Sequence, residues 1–236
     1  MIEKNKLLIV IPTYNEIKNI KKLISCIQNI KIDALFVDDN SPDGTSEVIK
    51  KNSQYNKNIF LISRPLKLGL GSAYRQGFAW GLKKKYTHII SMDADFSHSF
   101  EDLNKLLLNI NNNELVIGSR YINGGKTTGW KTSRRILSKY ANKLTKLLTS
   151  SKINDLTSGF KIYDSNLLSN ISFEDTKSNG YAFQIEMINL CEAQTDSYIE
   201  IPINFRERSE GHSKMNFKII LEALMYLVLF QNKNNL

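Results

Sequence analysis

Two aspartates spaced i, i+2, Asp93 and Asp95 in MDADFSHS (92–99), follow the run THII (87–90) after Ser91 and Met92. On a strand, residues i and i+2 point to the same side. Two carboxylates that close repel, and one is pushed toward protonation unless a cation sits between them. Oxygen ligands of this kind suit Mg2+ or Mn2+, which take one or two protein carboxylates while substrate phosphates complete the shell. The plain alternative is a solvated strand end. VDDNSPDGT (37–45) is a second acidic strand end, and it reads equally well as a turn, since Asn, Asp, Pro and Gly all favour turns. In IPTYNE (11–16), Tyr14 is able to stack on a base, and Glu16 either accepts hydrogen bonds or only starts a helix.

The elements that must position these groups follow from periodicity. KLLIVIP, DALFVDD, NIFLIS, THIISMDAD and ELVIGS read as strands. NEIKNIKKLISCIQNI is helical, with apolar residues at 17, 20, 23, 24 and 27. GTSEVIKKN, with Thr45 or Ser46 as cap, GSAYRQGFAWGLKKK, with Ser72 as cap, and FEDLNKLLLNI are further helices. Strands alternating with helices predict an α/β fold with a mostly parallel sheet, and the continuous apolar runs predict that both its faces are covered. Ligands then bind beyond the carboxyl ends of the strands, where PTYNE, DDNSPDG, RPLKLGLG, DADFSH and SRY all collect. The absence of G-x-G-x-x-G after the first strand and of G-x-x-x-x-G-K-[ST] disfavours the usual dinucleotide and P-loop sites.

The second half loses the alternation. TSRRILSKYANKLTKLLTS is a basic amphipathic helix, LTSGFKIYD a strand or turn, YAFQIEMINLCEAQ a helix and SYIEIPINFRER a strand. No linker separates the halves, so one catalytic domain is expected over 1–215, with an amphipathic C-terminal helix over 216–236. That helix is too short in its uninterrupted part, 223–230, to cross a bilayer. It lies in a membrane interface, packs on the protein's own core or meets a partner chain.

At 42% hydrophobic and 23% charged the chain has a globular rather than disordered composition. The net charge is +9, and between Arg120 and Lys161 ten Lys and Arg stand against the single acid Asp155, an excess equal to the whole net charge. Such a window attracts phosphates, nucleic acid or an acidic membrane, or is a solvated helix face. It lacks the interleaved aromatics of a nucleic-acid binder. Cys26 and Cys191 are far apart and read as buried free thiols of a reducing compartment. The N-terminal segment does not read as a signal peptide.

IPTYNE, VDDNSPDGT, KLGLGSAYRQG, DADFSH, GSRY, SRRILSKYAN, LTSGFKIY and FRERSEGHSKM occur in this order. Together they resemble the family 2 glycosyltransferases, closest to the polyprenyl (dolichyl) phosphate mannose synthases, over about residues 7–215. The resemblance implies a glycosyltransferase-A fold and a metal-dependent, inverting hexosyl transfer, mannose from GDP-mannose, onto polyprenyl phosphate. It implies that Pro12, Tyr14, Glu16, Val37 and Asp39 hold the nucleoside, and that Asp93, Ala94 and Asp95 hold the diphosphate through Mg2+ or Mn2+. It implies that Arg120 approaches the donor, that Arg134 and Ser138 bind the acceptor phosphate, that Arg208 and Lys214 close over both, and that Gln184 lines the site. Some relatives have Gln at the place of Ser97, where serine or water would complete the metal shell. His98 reads as a hydrogen-bonded neighbour of the motif rather than a base.

A lipid phosphate is already an anion, so it attacks without a general base, and the burden falls on positioning and charge neutralisation. The basic helix, with Arg134, Arg135, Lys139, Lys143 and Lys146, joins the C-terminal helix in a docking face for the acceptor's membrane. The expectation is a cytoplasmic protein, peripheral on the cytosolic face of a membrane, with a separate anchor subunit possible and no nucleic-acid partner. Two rivals are a UDP-glucose or UDP-N-acetylhexosamine transferase of the same fold, and a non-catalytic nucleotide-sugar or membrane-binding module.

Overall fold

A computed structural model of the chain describes residues 6–207. The expected C-terminal helix over 216–236, with Arg208 and Lys214, lies outside the described residues. The first half alternates as its periodicity predicts: β1 (Leu7–Thr13), α1 (Ile17–Ile30), β2 (Asp33–Asp38), α2 (Thr45–Tyr55), β3 (Ile59–Ser63), α3 (Leu70–Lys83), β4 (His88–Ser91), α4 (Phe100–Leu107) and β5 (Leu115–Ser119). The second half adds β6 (Lys126–Thr128), α5 (Thr132–Thr149), β7 (Lys161–Asp164), α6 (Ser165–Asn170), α7 (Gly180–Gln194), β8 (Tyr198–Pro202) and β9 (Asn204–Arg206).

Seven strands form one sheet in the order β3-β2-β1-β4-β7-β5-β8, and β6 pairs with β9 in a small ribbon. The sheet is parallel except at β7, which runs antiparallel to both its neighbours, β4 and β5. Alternate side chains of each strand enter different cores. Leu8 and Val10, Leu35 and Val37, Ile89, Leu115 and Ile117 face the layer of α3, α6 and α7. Ile9 and Ile11, Ala34 and Phe36, Ile90 and Val116 face α1, α2 and α4. Both faces are therefore covered, which is why these strands read as unbroken apolar runs. α3 lies close on the sheet because Gly77 and Gly81 face it: a Cβ at Gly77 would overlap Val10, and one at Gly81 would come 2.6 Å from Ile89.

Several local expectations are corrected. The strand before the acidic motif ends at Ser91, so Asp93 and Asp95 stand on a loop, and same-side strand geometry does not govern them. α2 begins after Gly44 with no side-chain cap, because the Thr45 hydroxyl donates instead to Asp43. α3 begins at Leu70, so Ser72 is inside it, where its hydroxyl accepts from Arg64. SYIEIPINFRER is two strands, β8 and β9. They part at the buried Ile203, whose N–H donates to the Ser119 carbonyl while its own carbonyl accepts from Lys126. Cys191 is buried in α7 and Cys26 is half-buried in α1, and both are free thiols.

Candidate active site

The polar loops gather along one sheet edge, in two halves. In the half beyond β1–β3, the acids of DDNSPDG build the loops themselves. Asp38, fully buried, accepts from the hydroxyl of Thr13 at 2.9 Å, the Ser41 amide at 2.9 Å and the Ser41 hydroxyl at 2.6 Å. Asp43 accepts from the Ile17 amide at the start of α1 and from Thr45. Asp39 is ion-paired with the buried Arg64 and accepts the Gly69 amide at 2.9 Å. Arg64 also donates to the Gly69 carbonyl, so the loop 64–69 is tied at both ends. Gly69 has φ +93, a conformation that L side chains rarely adopt. Glu16 is buried and accepts from Asn19. Tyr14 is half-buried, with the Lys67 ammonium 3.8 Å from its ring centre. Pro12 is half-buried at the same edge. Val37 is a correction: its side chain is fully buried in the core beside Leu35, out of reach of a nucleoside.

The other half forms around β4, β7 and β5. Asp95 is buried and accepts the Ser97 amide at 3.0 Å, while the Asp93 side chain is 31% exposed. Ala94 is buried between them. Phe96, with φ +60, holds the turn in the left-handed region, an uncommon place for a bulky side chain and one that marks local strain. His98 stacks on Phe160 and meets Phe205 edge-on, and its Nε2 lies 3.5 Å from Asp93 Oδ2.

The reversed direction of β7 does the rest. Because it runs against its neighbours, its entry, Ser158–Lys161, arrives at the edge where β4 and β5 leave. Lys161 pairs with Ser91 on one side and Ile117 on the other. The preceding loop carries Asp155, which takes Arg120 in a buried two-pronged pair: Nε and Nη2 donate at 2.7 and 2.6 Å. Nη2 also donates to Thr157. Burial works against the Arg120 charge, but the Asp155 carboxylate outweighs it and holds the guanidinium pKa above its ordinary value. Glu200 of β8 fixes this loop by accepting the amides of Asn154 and Asp155, and Glu192 of α7 accepts from Ser151 and Lys152.

A pocket opens here, lined by Asp93, His98, Arg120, Trp130, Arg134, Gly159, Tyr181 and Phe205 among others. Arg134 lies over the Trp130 ring at 4.1 Å and is ion-paired with Glu207 at 3.2 Å. Ser138 exchanges a 2.7 Å hydrogen bond with the Tyr121 hydroxyl, one helical turn beyond Arg134. Gln184 of α7 is buried, and its Oε1 accepts from Lys161. Asp93, Arg120, Arg134 and Gln184 are thus brought together, and the nucleoside set of Pro12, Tyr14, Glu16 and Asp39 stands beyond β1–β3.

A divalent cation fits this donor set. Asp93 and Asp95 supply hard carboxylate oxygens, and beside them the buried Ser97 hydroxyl and both ring nitrogens of His98 have no hydrogen-bond partner among the described residues, His98 Nε2 having only its 3.5 Å contact with Asp93. No group of three His, Cys, Asp or Glu converges among the described residues, so a diphosphate would complete the ion's shell.

Sequence reasoning missed Arg64, Asp155, Lys161, Trp130, Tyr181 and Phe205. The first three left a trace, as charges inside or beside apolar runs. The three aromatics left none, since aromatics at such spacing more often belong to a core.

Comparison with known proteins agrees with this geometry. The family described as glycosyl transferase family 2 matches residues 8–172. An undecaprenyl-phosphate mannosyltransferase of Micrococcus luteus is 36% identical over 222 residues, 93% of this chain and 91% of that protein. A polyprenol monophosphomannose synthase of Mycolicibacterium smegmatis is 38% identical over 221 residues, 92% and 83% of the two chains. Among solved structures, glucosyl-3-phosphoglycerate synthase of Mycobacterium tuberculosis, in complex with Mn2+, UDP-glucose and phosphoglyceric acid, superposes with a TM-score of 0.67 at 16% identity, covering 97% of this chain and 80% of that one. A mannosyltransferase of Pyrobaculum calidifontis, in complex with GDP-Man and Mn2+, superposes with a TM-score of 0.57 at 15% identity, covering 99% and 65%. The fold is the α/β glycosyltransferase-A arrangement that the sequence motifs imply.

Proposed function

The chain belongs to glycosyl transferase family 2, and from that premise we propose that it is a metal-dependent, inverting transferase that moves mannose from GDP-mannose onto polyprenyl phosphate. The observation that carries the reading is the pocket in which Asp93 meets Arg120 and Arg134 between the ends of β4, β5 and β7. An acidic, metal-suited wall opposite fixed guanidinium groups is what two phosphate-bearing substrates require. The mannose and the lipid acceptor are supported by the two relatives named for that chemistry.

In this reading Tyr14, Glu16 and Pro12 cradle the nucleoside, and Asp39 acts through Arg64 by holding the loop 64–69 beside it. Asp93 and Asp95 hold Mg2+ or Mn2+, which neutralises the diphosphate when bound. Arg134 and Ser138 seat the acceptor phosphate, and Arg120, kept rigid by Asp155, faces it across the pocket. One acceptor phosphate oxygen forms the bond to the anomeric carbon as the bond to the diphosphate breaks. No proton need move, and the α-linked donor gives a β-linked product. Arg208 and Lys214 are proposed to close over the diphosphate.

Among the described residues no helix is long and apolar enough to cross a membrane. α5 instead turns Ile136, Leu137, Tyr140, Leu144 and Leu147 outward, all exposed, within an arc of about 100°. Arg135, Lys139, Lys143 and Lys146 flank that arc, and the polar Asn142 and Thr145 are the buried side. This inverts an ordinary surface helix and suits an acidic lipid surface, so we place the protein peripherally, on the cytosolic face, whether or not an anchor subunit assists. Leu137→Asp with Leu144→Asp should release the protein from phosphatidylglycerol-containing vesicles; undiminished sedimentation would remove this face from the mechanism. We propose that residues 1–215 form one catalytic domain.

The deciding experiment is a labelled donor panel with polyprenyl phosphate and Mg2+ or Mn2+. GDP-mannose should be turned over in preference to UDP-glucose and UDP-N-acetylhexosamine. Turnover of UDP-sugars alone would overturn the choice of donor, and turnover of none would favour a binding module.

A further inference from the structure

Lys161 is fully buried and has no part in the transfer set out above. It stands at the entry of β7, between the strands that deliver Asp93 and Arg120. Its Nζ donates to the Ser158 carbonyl and to Gln184 Oε1, each at 2.5 Å. Burial pulls its pKa down to about 7, yet the nitrogen carries at least two hydrogens as amine or as ammonium, so both bonds survive either state.

The consequence falls on Gln184. A glutamine amide has one accepting end and one donating end, and only the oxygen can face a lysine that donates to it. The NH2 end is therefore turned away from Lys161. A Cβ on Gly159 would lie 3.7 Å from Gln184 Nε2 and 3.7 Å from each carboxylate oxygen of Asp93. Gly159 and Asp93 both line the pocket. At Gly159 the backbone thus leaves the pocket wall without a side chain, and a donor, Gln184 Nε2, and an acceptor, Asp93, stand equally close to it.

A phosphate oxygen would satisfy the amide but be repelled by Asp93. A group that both accepts and donates satisfies both, and that is a hydroxyl. We propose that Lys161 is a positioning residue that locks the Gln184 amide, and that the locked amide and Asp93 together read one hydroxyl of the donor's sugar. This rests on the nucleotide-sugar reading above. A carboxylate has enough lone pairs for Asp93 to accept this hydroxyl and also contribute to a metal site.

The test is a set of nucleotide-sugars, each lacking one hydroxyl, given to the wild type, Gln184→Glu and Lys161→Met. Gln184→Glu keeps an acceptor for Lys161 but turns a second carboxylate oxygen toward Asp93, so its melting temperature is read beside its activity. It replaces the NH2 by an oxygen, so the hydroxyl loses its donor. One deoxy-sugar should cost the wild type about tenfold or more in kcat/KM. That penalty should vanish in Gln184→Glu and shrink in Lys161→Met, while the penalties at other hydroxyls persist in both. Wild-type-like penalties in both variants would overturn the inference and leave the transferase intact. A wild type that turns over no nucleotide-sugar would instead overturn the function on which it rests.

Discussion

The two acidic strand ends make opposite use of similar residues. In DDNSPDG, Asp38, Asp39 and Asp43 accept from Thr13, Ser41, Gly69, Ile17 and Thr45 or pair with Arg64, and so build the loops that carry them. In DADFSH, Asp93 keeps nearly a third of its side chain exposed and faces a pocket with two arginines. The charges that act as scaffold in this second half are elsewhere, in Asp155, Glu192 and Glu200. A carboxylate saturated by the protein's own donors is architecture, and one left facing a cavity is available for chemistry.

Variants separate the two uses. Asp93→Asn should lower transfer by about 1,000-fold or more, the scale of losing preorganised charge stabilisation, with little change in melting temperature, because its side chain is partly exposed in the pocket. Retained turnover would erase the distinction drawn here. Asp155→Ala leaves the buried Arg120 charge without its partner, so it should cost about 3–5 kcal/mol of folding stability in urea titrations as well as transfer. Asp38→Ala strands the donors of Thr13 and Ser41. It should cost about 1–3 kcal/mol, with turnover per folded molecule close to wild type. If Asp38→Ala instead matched Asp93→Asn, the two strand ends would share one role.

The smallest effect is a slope. With its folded pKa depressed to about 7, Lys161 binds fewer protons than in the unfolded chain between that pH and its ordinary value of 10.5. Stability therefore rises with pH across that window, by at most about 1.4 kcal/mol per unit from this group. The stability of Lys161→Met relative to wild type should then be greatest near pH 7 and fall as pH approaches 10. A pH-independent difference would mean that the buried amine titrates normally.

Much of this was legible in the chain. The helices and strands of the first half follow their periodicity, and the placing of five polar loops along one edge follows from the alternation of strand and helix. The motif order was enough to reach the family. The motifs also marked Asp93, Asp95, Arg120, Arg134 and Gln184, which do gather. What failed did so for local reasons. Val37 sits inside a motif but points into the core, because strand parity carries it away from the edge. Thr45 and Ser72 are residue types suited to caps, but stronger donors and acceptors, Asp43 and Arg64, claim their hydroxyls.

The sequence by itself determined the apolar periodicity, and with it the covered sheet, the loop edge and the two acidic loops. These depend on neighbours within a few residues, where side-chain direction is set by the backbone period. Only the tertiary structure decided which charges face the pocket. LTSGFK shows no reason in its own residues to run backwards between β4 and β5. Yet that reversal brings Asp155 to Arg120, Lys161 to Gln184 and Gly159 to Asp93. Whether a buried charge is satisfied depends on partners 23 to 45 residues away, and such pairings are set by strand order rather than by spacing along the chain.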